Sequence, residues 1–147
     1  MKILQIEQLF QQEETLVQVL EECKEEFDII DNYSKSLKNN TIENGESLKK
    51  VLKELVGVYL ALKPVLALAE TEKKNREVRY YDSRRIEVEK EGGKFVSGAT
   101  DKEASAYVAE YRRVRNLIQG YVDACNTAIS TLQSVLGYLK EEMKLQQ

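Results

Sequence analysis

From Ala104 to Leu139 one heptad seam runs without a miss through Tyr107, Tyr111, Val114, Ile118, Tyr121, Cys125, Ala128, Leu132 and Val135, at alternating three and four spacing. Only a helix puts such positions on one face. The spacing predicts a helix over about 101–143, which at ~1.5 Å per residue is roughly 60 Å long. A compact globule of 147 residues has a radius of gyration near ~15 Å, so this helix overshoots it. An elongated helical hairpin or bundle follows, and copies of the chain are expected to complete it.

Two more helices are legible upstream. Ile6, Leu20 and Phe27 form one apolar row and Leu9, Leu16, Cys23 and Ile30 its partner, which predicts a helix over about 2–31 with a Glu- and Gln-rich outer face. Asn39 to Gly45 collects turn formers and reads as a loop. A second helix is expected over about 46–90, on the row Leu48, Leu52, Leu55, Tyr59, Leu62, Leu66 and Ala69, with Val51, Val58, Val65 and Leu68 beside it. That stripe is wider than one partner helix covers, so Leu48, Leu52, Leu55, Val58, Tyr59, Leu62, Val65 and Leu66 are the expected subunit interface. Pro64 lacks the amide for the bond toward Leu60, and a kink or boundary is expected there. Gly92 and Gly93 close this helix, and Thr100-Asp101-Lys102-Glu103 reads as a capping box opening the third. The expectation is one all-α domain over residues 1–147.

Composition narrows the chemistry. With no histidine, the commonest metal ligand and the neutral-pH proton shuttle are both missing. Cys23 and Cys125 lie far apart, without zinc or redox spacing, and both fall on apolar stripes. Neither a phosphate-cradling glycine loop nor a nucleophile beside a base stands out, so no enzymatic activity and no cofactor are expected. No stretch reaches the ~20 apolar residues of a membrane span, and the opening residues carry no apolar leader, so the expected compartment is the cytoplasm.

Net charge is −3, yet nine acidic residues face two lysines between Met1 and Asp31, and basic groups prevail beyond. Folding the second helix back on the third about a turn near Phe95 brings residues equidistant from that turn together. Arg79 is then expected near Arg112, Arg76 near Arg115, and Tyr80 and Tyr81 near Tyr107 and Tyr111. With Lys73, Lys74, Arg84, Arg85, Lys94 and Arg113 the gathered patch has the makings of a phosphate site with tyrosines on which bases stack. The competing reading pairs these cations with Glu72, Glu77, Asp82, Glu87, Glu89 and Glu91 at helical spacing and leaves the tyrosines in the core.

The segments Asn32-Tyr33-Ser34-Lys35-Ser36-Leu37, Lys73-Lys74 through Arg76 and Arg79 to Tyr80-Tyr81-Asp82-Ser83, Tyr121-Val122-Asp123-Ala124-Cys125, and Tyr138-Leu139-Lys140-Glu141-Glu142-Met143 resemble the UvsY-like recombination mediators of tailed phages. The resemblance covers roughly residues 32–143. It implies an all-helical, ring-forming protein that binds single-stranded DNA and helps a recombinase displace the single-strand-binding protein. Lys73, Lys74, Arg76 and Arg79 are the DNA contacts it implies. The alternative is a helical adaptor or assembly scaffold that binds only protein.

Overall fold

The computed structural model describes residues 3–40 and 44–147. Lys2, the expected first position of the first helix, and the loop residues Thr41, Ile42 and Glu43 lie outside the described residues. The fold is all-α, with six helices and no strand among the described residues: α1 (Ile3–Leu9), α2 (Leu16–Glu22), α3 (Lys24–Lys38), α4 (Gly45–Lys90), α5 (Ser97–Tyr107) and α6 (Ala109–Leu145). At ~1.5 Å per residue α4 is roughly 70 Å long and α6 roughly 55 Å.

These two rods pack antiparallel, as three pairings show. Arg115 meets Glu70, the Cys125 Sγ lies 3.2 Å from the Leu55 carbonyl, and Leu136 and Leu139 flank Gly45 and Lys49. The segment α1–α3 lies along both, antiparallel to α4: the Phe10 carbonyl reaches Arg76 at one end, and the Tyr33 hydroxyl bonds Glu54 at the other. Phe27 stacks on Tyr121 of α6 at 4.0 Å. The result is a three-layered bundle whose core is one cluster running from Ile6 to Leu132.

The stripe expected as a subunit interface is packed within the chain. Leu48, Leu55, Val58, Leu62, Val65 and Leu66 are buried within the chain, and Leu52 and Tyr59 are packed against the same core. The stripe is wide because α4 is the central helix: one flank meets α1–α3 and the other meets α6. Its width therefore serves the chain's own layers, with Leu52 and Tyr59 partly exposed at its edges.

The expected first helix is instead three. Helical backbone is interrupted at Phe10–Gln12 and at Cys23, and the last piece continues past Asp31 to Lys38. Phe10 and Cys23 are both fully buried at these breaks, as part of the common core. Asn44, read as part of a loop, caps α4 by accepting a bond from the Ser47 amide at 2.9 Å. Helix α4 runs on through Pro64, with no boundary there. Both Pro64 and Leu60, whose carbonyl loses its intrahelical donor, lie on the exposed side, where that carbonyl is open to solvent. At the far end Gly92 takes φ +72°, its amide bonds Glu89 O and the Gly93 amide bonds Val88 O, so the two glycines close the helix as a Schellman turn.

The third expected helix is two. A residue of non-helical backbone at Val108 separates α5 from α6 and buries the valine completely. It also turns Tyr107 out of the seam. The capping box does not form: α5 starts at Ser97, and the buried Thr100 hydroxyl donates back to the Val96 carbonyl at 3.2 Å. Thr100 and Glu103 therefore sit inside the helix rather than at its mouth.

Candidate nucleic-acid interface

Beyond Ala69, helix α4 carries no buried residue, and only α5 folds back over its last turns. Between these two helices lies an open groove of about 760 Å³, lined by Arg76, Arg79, Tyr80, Ser83, Arg84, Glu87, Glu103 and Tyr107. The α4 positions form one helical row because they recur at three and four spacing. Tyr80 and Tyr107 stack with centroids 4.7 Å apart. Tyr107 remains 54% exposed and lines the groove. Tyr81 meets the edge of Phe95 rather than the other tyrosines.

The arginines fall into three groups. Arg79 is exposed and, among the described residues, makes no ion pair. Arg84 faces two carboxylates, with Nη1 at 3.1 Å from Glu87 and Nε at 3.5 Å from Glu103 of α5. The Glu87 hydrogen bond, and after it the Glu103 charge, push its pKa up. Arg76 belongs to the scaffold: its Nη2 donates to the carbonyls of Phe10 and Gln11, and its plane lies over the Tyr111 ring.

The three α6 arginines do not join the patch. Arg115 is bound to Glu70 and Asn116, Arg113 to Glu110, and Arg112 folds back onto Ser105. Arg115 meets Glu70 instead of Arg76 because the loop and α5 together shift the antiparallel register by more than a turn. Lys73 is half-buried, and Lys74 lines a separate cleft on the other side of α5 with Glu77, Val78 and Tyr81. Of the residues expected in the patch, the groove gathers Arg76, Arg79, Tyr80, Arg84 and Tyr107.

No known protein family, curated protein or solved structure matches this chain. The groove residues must therefore be read on their own chemistry. Ser83 and Glu103 line the groove without a signal that places them there, since the spacing reads Glu103 as part of a capping box that does not form. Glu87 pairs with Arg84 three residues before it, as the competing reading expects. Among the described residues no helix is long and apolar enough to cross a membrane, and no group of three or more acidic or cysteine side chains is arranged to hold a metal ion.

Proposed function

We propose that this chain is a non-enzymatic, helical single-stranded DNA-binding protein that uses the α4–α5 groove, and that it serves recombination as an accessory to a recombinase. The observation that carries the reading is the shared groove that holds Arg79, which makes no ion pair among the described residues, the half-exposed Arg84 and the 54% exposed Tyr107. A guanidinium binds phosphate bidentately, and a ring face accepts any unpaired base, so the pair suits a single strand without fixing its sequence. The accessory role, and with it the recombinase and single-strand-binding protein as partners, is supported by the resemblance to UvsY-like mediators. The acidic outer face of α1–α3 stays off the DNA in this reading and is available to a basic protein partner.

Fluorescence anisotropy with labelled oligo-dT is the test. Two phosphate contacts give a slope of log K against log salt of about −1.4, at ~0.7 per phosphate on single strands. Arg79→Ala should remove about half of that slope, and Tyr107→Ala should weaken binding by about 1–3 kcal/mol. Arg113→Ala, an equal charge loss outside the groove, should change little. Absence of binding at low salt, or equal losses from Arg79→Ala and Arg113→Ala, would overturn the reading.

A second reading, a protein adaptor, is favoured by the opposite end of the molecule. There Val135, Tyr138, Met143 and Leu145 are exposed on α6, beside an apolar cleft formed with the start of α4. A chain that ignores DNA at every salt concentration would belong to this class.

A further inference from the structure

Glu103 of α5 engages the Arg84 guanidinium of α4 at 3.5 Å. Because α5 begins at Ser97, this carboxylate falls one turn and a half into the helix and faces α4 across the groove. Its bridge to Arg84 is the one ion pair between α4 and α5 among the described residues. The rest of the α5 attachment is slight. It buries only Thr100 and Ala104, and adds the aromatic contacts Tyr80–Tyr107 and Tyr81–Phe95 and the bond from Arg112 of α6 to the Ser105 carbonyl.

A carboxylate and a phosphate present the same paired acceptors to a guanidinium, so they compete for its donors. Glu87 holds Arg84 from within α4 whatever α5 does, whereas Glu103 reaches it from the other wall and bridges the two helices. The Arg84 and Glu103 side chains are 41% and 48% exposed, so the bridge is weakly held and open to exchange. Accepting the α4–α5 groove as the DNA site, we propose that Glu103 is a built-in competitor for it. In the free protein Glu103 occupies Arg84; an incoming phosphate displaces it, which lowers affinity and ties binding to release of the bridge between the helices.

Oligo-dT anisotropy at low salt on wild type, Glu103→Gln, Asp101→Asn, Arg84→Ala and the double variant Arg84→Ala/Glu103→Gln tests this. Asp101 lies on the same helix with the same charge, makes no ion pair among the described residues, and lines the cleft on the other side of α5. Glu103→Gln should tighten binding about two- to fivefold, the range an exposed ion pair allows. Asp101→Asn should not, and Glu103→Gln should have no further effect once Arg84 is alanine. If wild type binds and Glu103→Gln leaves affinity unchanged, or tightens it equally in the Arg84→Ala background or no more than Asp101→Asn, the competitor role is overturned and the DNA site stands. If neither wild type nor Glu103→Gln binds, both are overturned.

Discussion

Arg76 is the staple that holds Phe10. Its Nη2 lies 3.0 Å from the Phe10 carbonyl and 2.6 Å from that of Gln11, while its guanidinium carbon stands 4.4 Å from the centre of the Tyr111 ring. The Tyr111 hydroxyl donates to the same Phe10 carbonyl at 3.2 Å. One cation thus satisfies the frayed end of α1 and ties all three layers of the bundle together.

Arg76→Ala should therefore act on stability before it acts on any ligand. A bond from a charged donor contributes about 1.5–3 kcal/mol and the ring contact up to about 2, so a loss of roughly 2–4 kcal/mol is expected in urea unfolding. Arg76→Lys keeps the charge but not the fork and should recover less than half. An unchanged midpoint for Arg76→Ala would show that α1 is held by other contacts.

Leu62 is fully buried at the centre of α4. Leu62→Ala should cost about 2–5 kcal/mol, as a cavity in a closed core does. The unfolding midpoint of the wild type should stay constant over about a hundredfold range of protein concentration. A midpoint that climbs with concentration would instead mean that association contributes to the stability of this core.

The long helices were legible because their signal is local. A row such as Leu48 to Ala69 needs only the 3.6-residue repeat, and both ends of α4 fell within a residue of the expected bounds. What covered that row was not legible, since nothing in its spacing tells a neighbouring chain from α1–α3 of the same one. The breaks at Phe10, Cys23 and Val108 follow from packing against other layers, and no glycine or proline marks them in the sequence. The patch is only partly gathered for a related reason. Equidistance from Phe95 assumed a simple hairpin, and insertion of α5 moved Arg115 from Arg76 to Glu70, while the stack of Tyr80 on Tyr107, close to the turn, survived.

The Glu70–Arg115 pair should leave a mark on the pH profile. The hydrogen bond from Arg115 holds the Glu70 carboxyl below its ordinary value of 4.5. A depressed folded pKa contributes stability above the unfolded value and loses it as pH falls through the folded one. Melting temperatures from roughly pH 3 to 7 should therefore drop more steeply on the acid side for wild type than for Glu70→Gln. The effect should be small because Glu70 is half exposed. Identical acid limbs for the two proteins would show that the pair makes no net contribution.

The two thiols should report how the core opens. Both are fully buried. Burial, and after it the charges of Glu26 and Glu22, pushes Cys23 up to about 12, and burial likewise raises Cys125, whose Sγ donates to the Leu55 carbonyl. A thiol in that state yields little thiolate, so neither should react with a disulfide reagent in the native protein, and both should react in denaturant. Their order should differ below the unfolding midpoint. Cys23 lies at the joint between α2 and α3, where two short helices can separate, whereas Cys125 is locked between the two long rods. Cys23 should be labelled first, at a free energy below that of global unfolding. Simultaneous labelling would mean that the amino-terminal layer opens only with the rest of the bundle.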